Sequence, residues 1–140
     1  MPQAVIYNDN FTEVLSENGT ANINVGDVIL GSSATLPFRI RNQGLGVLNI
    51  DSSCFYDAVL GACNPAETDN GFSYTPLGAV SGIASTGNQQ YIITYEPEEL
   101  NLDEAIALPD FATLHFTTTD PENPLLIVEL SGRPIAPALT

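Results

Sequence analysis

The sequence predicts an all-β fold, an antiparallel β-sandwich of seven to eight short strands. Three observations predict it. Val25–Ile50 and Ala112–Gly132 alternate apolar and polar residues with a period of two, which is how half-buried strands read. Gly, Pro and Asn cut both segments at turn spacing,. Almost nothing carries a helical period: Glu98–Ala107 is the one candidate for a helical turn, and it reads better as a loop,.

The strands follow from the turns that bound them. Ala4–Tyr7 is the first, and Asn8–Asn22 is a polar connection containing Asn18-Gly19. Ile23–Leu30 is the second; Gly31-Ser32 then turns the chain into Ser33–Asn42. There Phe38 and Ile40 share the core face while Arg39 and Arg41 share the other, because strand side chains alternate. Gln43–Gly46 leads into Val47–Ser52, after which a cysteine loop interrupts regular structure until Phe72–Thr75. Asn88–Tyr95 puts Tyr91, Ile93 and Tyr95 on one side. Glu96–Asp110 is an acidic connection, and Phe111–Thr118 turns Ala112, Leu114 and Phe116 inward. Asp120–Pro124 makes the turn into Leu125–Ser131, whose Leu126, Val128 and Leu130 are internal.

The 140 residues suit one domain burying roughly two thirds of its unfolded surface. It divides into a first strand and polar lead-in (1–22), a sandwich core (23–134) and a tail (135–140). Lys+Arg is 3 against Asp+Glu 17, for a formal charge of −14, which disfavours nucleic acid and anionic lipid surfaces. None of the three cations is Lys, so a Lys-Asn isopeptide crosslink is excluded. No run approaches the roughly 18 apolar residues of a spanning helix. Met1-Pro2-Gln3 lacks a signal pattern,, so the chain reads as a domain of a longer exported protein.

Cys54 and Cys63 flank the loop CFYDAVLGAC. Their spacing fits no CxxC metal pattern; it suits either a local disulfide, which would imply an oxidising compartment, or two buried thiols. His115 is the only histidine, and alternation puts it with Thr113 and Thr117 away from the core. There is no GxSxG elbow, HExxH or phosphate-binding Gly-rich loop,, so no enzyme is expected. Glu96, Glu98, Glu99, Asp103 and Glu104 crowd the acidic connection with Asp110. Hard carboxylate oxygens in a loop are what calcium prefers, although the DxDxDG spacing is missing. No other cofactor is expected.

Apolar residues out of phase with the core mark candidate contacts. Leu125 and Ile127 oppose Leu126 and Val128, and Ile92 opposes Ile93. The first strand, with Val5 and Ile6, offers a second route through its own sheet edge or through strand exchange with a neighbour.

The order VGDVILGSS, PFRIRNQGLGVLNI, a variable loop, YIITYEP and ATLHFTTTDPENPLLIVELSG resembles the ASH or Hydin-type domain, also found in bacterial choice-of-anchor D proteins. The opening PQAVIYNDNFTEVLSENGTANINVGDV is similar to the lead-in of the bacterial members. The resemblance implies an immunoglobulin-like sandwich related to the major sperm protein and pilus-chaperone folds. It also implies a non-catalytic cell-surface or secreted module serving adhesion, assembly or structural spacing. Partners would be neighbouring domains, other surface proteins or a second copy, with no nucleic acid and no membrane insertion. A calcium-assisted carbohydrate- or protein-binding module is the alternative. The paired cysteines, acidity and lack of Lys favour the exported bacterial branch. Apart from Arg39 and Arg41, the basic cluster with which a pilus chaperone grips a subunit is missing.

Overall fold

The computed structural model describes residues 1–64, 66–98 and 108–136 in full, and 102–103 and 106–107 by their backbone. Among the described residues there is no helix. The strands of the described residues are, in chain order, β1 (Ala4–Asn8), β2 (Ser16–Glu17), β3 (Thr20–Ile29), β4 (Ala34–Asn42), β5 (Leu48–Asp57), β6 (Ala62–Asn64), β7 (Phe72–Thr75), β8 (Val80–Ile83), β9 (Asn88–Tyr95), β10 (Leu102–Asp103), β11 (Ile106–Ala107), β12 (Asp110–Thr118) and β13 (Leu125–Ile135). The small sheet has the order β1-β4-β9-β7. The large sheet runs β2-β3-β13-β12-β5-β6, with β8 also pairing β5. β10 and β11 form a separate two-stranded pair within the acidic connection.

Among the described residues all strand pairings are antiparallel except β3 with β13, which is parallel. Strands distant in sequence are thereby neighbours: Thr20 lies opposite Ile127 and Ile29 opposite Ile135. The pairing shifts register between Ser131 and Arg133. On the β3 side the irregularity falls near Gly26, whose φ of 92° suits glycine and whose N–H donates to Asn24 Oδ1 at 2.8 Å.

Inward side chains of both sheets form one core. Phe38, Ile40, Phe72, Tyr91, Ile93 and Tyr95 come from the small sheet, and Leu48, Ile50, Phe55, Leu114, Phe116 and Val128 from the large one, all essentially inaccessible. The first strand belongs to the sandwich, with Ala4 and Ile6 buried and β1 paired antiparallel with β4, and within the polar connection Ala21 is buried on β3. Its outer edge is also occupied. Ala4 N–H donates to Asp120 Oδ2 at 2.9 Å and Ile6 N–H to Ser16 Oγ at 3.1 Å, while Leu15 N–H donates to Ile6 O. The chain's own groups thus satisfy the donors that an added strand would seek.

Candidate functional site

The cysteine segment is a hairpin where the sequence suggests a loop. β5 continues through Cys54 to Asp57 and pairs with β6, Tyr56 lying opposite Cys63. Cys54 and Cys63 are disulfide-bonded, with Cα atoms 5.7 Å apart. A bridge closing so short a loop removes denatured-chain freedom, so replacing both cysteines by Ser is expected to lower the unfolding free energy by about 2–3 kcal/mol. Urea denaturation of the double variant checks this; no loss would mean that pairing with β5 alone holds β6.

The two outer faces of the sandwich differ. On the small sheet, Arg39 and Arg41 point outward as alternation requires, and Phe11 from the Asp9–Glu13 segment lies over them, its ring 5.7 Å from each guanidinium carbon. Arg39 Nε donates to Asp9 Oδ1 at 3.0 Å, Gln90 Nε2 donates to the same oxygen at 2.8 Å, and Tyr7 is buried below. The chain therefore partly covers this face. Of the candidate contacts here, Ile92 is exposed, Val5 is half-buried and Ile6 is buried in the core. Ile6 opposes Ile40 in register and shares its inward face, so it offers no surface contact in this fold.

The outer face of the large sheet carries Leu125 and Ile127 on the opposite side of the sandwich. The sequence-predicted apolar residues therefore form no single patch. Leu125 is exposed and Ile127 half-buried. In register, Thr117 opposes Leu125, His115 opposes Ile127, Thr113 opposes Glu129 and Phe111 opposes Ser131. On the other side of β12, His115 opposes Cys54. Its imidazole stacks on Tyr56 with ring centroids 4.1 Å apart and planes 10° from parallel. Burial lowers its pKa, favouring the neutral ring.

Phe111 is the residue the sequence reading passed over. It is 61% exposed and is out of phase with Ala112, Leu114 and Phe116, the same signal that singled out Ile92. Three shallow recesses meet beside it: 360 Å³ toward Asn22 and Glu129, 470 Å³ toward Asp27 and Leu108, and 250 Å³ toward Tyr56, Asp57 and Asp69. Asn70 Nδ2 donates to Phe111 O at 2.8 Å, anchoring the neighbouring loop to β12. Beyond this groove, Tyr95 donates its hydroxyl to Asp110 Oδ2 at 2.5 Å; burial first, then this bond, raises the tyrosine pKa.

Of the calcium candidates, Glu96 and Glu98 are exposed beyond the end of β9. Glu99, Glu104 and the Asp103 side chain lie outside the described residues. Among the described residues no group of three or more His, Cys, Asp or Glu could hold a metal ion.

No protein-family model matches the sequence, and no curated protein matches it. Solved structures share its fold. One is a protein of unknown function from Porphyromonas gingivalis W83, 14% identical over 94% of this chain and 46% of that one, at a TM-score of 0.62. A family 123 glycoside hydrolase from Clostridium perfringens, studied for glycolipid glycan hydrolysis, is 11% identical over 100% of this chain and 28% of that one, at 0.58. The periplasmic chaperone SfaE is 10% identical over 99% of this chain and 59% of that one, at 0.53. The chain thus spans less than two thirds of each, and at these identities the likeness concerns architecture. The chain is an immunoglobulin-like β-sandwich whose fold is shared with a periplasmic chaperone.

Proposed function

We propose that this chain is a non-catalytic module of an exported or cell-surface bacterial protein, serving adhesion, assembly or spacing through protein contacts. The observation that carries this reading is the outer face of the large sheet. There Phe111, Leu125 and Ile127 lie on one side of β12 and β13, whereas the Asp9–Glu13 segment shields part of the opposite face. Apolar groups left accessible on a sheet face mark contact sites, here Leu125 and Ile127 on β13 with Phe111 farther along β12. The Cys54–Cys63 bridge supports an oxidising compartment.

Immobilised wild-type and Ile127→Glu domains, exposed to envelope and secreted proteins of the source organism, test the reading. Mass spectrometry is expected to identify proteins held by the wild type and lost from Ile127→Glu, with thermal unfolding little changed. Identical sets on both domains would remove this face from function.

A further inference from the structure

The groove around Phe111 is apolar at its centre and acidic at its margin. The recess between Phe111 and Tyr56 contains Asp57 and Asp69. Asp57 Oδ1 accepts the N–H groups of Val59 and Leu60 at 2.9 and 3.2 Å, which fixes its position. Asp69 is half-buried, and burial, then the charge of Asp57, raises its pKa. Glu129 stands on the next strand, opposite Thr113.

None of the chain's three arginines enters the recess between Phe111 and Tyr56. Arg39 pairs with Asp9 on the small sheet. Arg133 borders the recess on the Asp27 side of Phe111, where two hydrogen bonds of 2.9 and 2.7 Å to Asp27 occupy it. Arg41 lies against Tyr7 and Phe11, also on the small sheet. With no Lys and a formal charge of −14, the complement to this groove is cationic and partly apolar.

We propose that the groove takes a basic segment of a partner polypeptide, one apolar side chain resting on Phe111 and a Lys or Arg side chain entering the recess between Phe111 and Tyr56 beside Asp57 and Asp69. The proposal rests on the protein-contact reading above and names the partner's chemistry. The aromatic faces attract a cation by their quadrupoles, and the carboxylates offer charge-assisted hydrogen bonds. A second copy of this chain is a poor occupant, because two equally acidic surfaces repel.

Fluorescence anisotropy with labelled peptides of alternating Val and Lys, Val and Gln, or Val and Glu tests the proposal at low salt. The Val-Lys peptide is expected to bind, the Val-Gln peptide at least about tenfold more weakly, and the Val-Glu peptide not at all. Phe111→Ala is expected to weaken Val-Lys binding about tenfold and Asp57→Asn/Asp69→Asn severalfold. Glu17→Gln, an exposed charge change on β2, is expected to leave it unchanged. Near-ultraviolet circular dichroism verifies that each variant is folded.

Equal weakening by Glu17→Gln and Asp57→Asn/Asp69→Asn, with none by Phe111→Ala, would overturn the site in favour of diffuse attraction. Absence of Val-Lys binding would overturn it as well. Val-Gln binding as tight as Val-Lys, and lost in Phe111→Ala, would overturn the cationic assignment while leaving the face a protein contact. The broader reading fails separately, through identical captured sets on wild-type and Ile127→Glu domains.

Discussion

Replacing Phe116 by Ala is expected to lower the unfolding free energy by about 3–5 kcal/mol, whereas Phe111→Ala should change it by less than about 0.5 kcal/mol. Both residues are phenylalanines on β12, but an odd separation places them on opposite faces. Phe116 is fully buried. From the large sheet it meets three aromatic rings of the small one: Tyr91 at 4.9 Å, and Phe38 and Tyr74 at 6.2 Å between centroids, all edge-on. Truncation removes the transfer energy of the ring and leaves a cavity that rigid aromatic neighbours cannot collapse into. A protein this size has roughly 5–15 kcal/mol to lose, so a large share would go with one ring. Urea denaturation followed by far-ultraviolet circular dichroism, with the slope held constant, measures both changes. A Phe116→Ala loss below about 1 kcal/mol would mean that the sheets close over the missing ring. Comparable losses in both variants would mean that Phe111 is not exposed in solution.

That pair also shows what was legible in the sequence. Alternation assigns Phe38, Ile40, Tyr91, Ile93, Tyr95 and Phe116 to the core, and all are buried. Phe72–Thr75 and Asn88–Tyr95 fall on β7 and β9 at their observed bounds, because each is a clean apolar run between strong turn signals. Elsewhere the local signal misled. The polar DSSC run hid the continuation of β5 to Asp57, where pairing with β6 and β12 supplies what the side chains do not. The sequence reading ends the last strand at Ser131, yet β13 runs on through Gly132 and Pro134 to Ile135. Gly132 is there because Tyr95 needs the space: a Cβ at that position would lie 2.6 Å from Tyr95 Cε2. Such a requirement arises between sheets and leaves no local pattern, as does the parallel pairing of β3 with β13.

The candidate site was less legible for the same reason. Out-of-phase apolar residues can be found one by one, but which face each belongs to depends on strand order. Topology separates Ile92 from Ile127 by the thickness of the sandwich. It joins Phe111 on β12 to Tyr56 and Asp57 on β5 and to Asp69 before β7, residues that the sequence spreads over more than fifty positions. The acidity was plain from composition, but its meeting with an exposed ring at one place was not.

Asn42→Ala is expected to lower the unfolding free energy by about 3–5 kcal/mol, although it removes a small polar side chain and no apolar surface. Asn42 ends β4 fully buried and uses every side-chain hydrogen-bonding group. Nδ2 donates to Gly46 O at 2.9 Å and Ile83 O at 3.1 Å, and Oδ1 accepts from Gln3 N–H at 3.1 Å and Gly44 N–H at 3.0 Å. One amide thus ties together the segment before β1, the β4–β5 turn and the end of β8. Ala would strand four backbone groups, and each buried one costs about 1–3 kcal/mol. Asn42→Asp is expected to be no rescue, since a carboxylate loses both donors and faces two carbonyl oxygens. A loss under about 1 kcal/mol in Asn42→Ala would mean that water replaces the amide. The consequence for function is a separation of effects. Arg41 pairs with Asn88 at this end of β4, whereas Ala34 pairs with Tyr95 at the other, and Tyr95 packs beside Gly132, itself opposite Asp110 in register. The groove at Phe111 therefore lies at the end of the sandwich remote from Asn42. Below its lowered unfolding midpoint, Asn42→Ala should still bind the Val-Lys peptide, whereas Phe111→Ala should remain stable and bind it poorly. Variants that lost both properties together would place the groove and the Asn42 network in one cooperative unit.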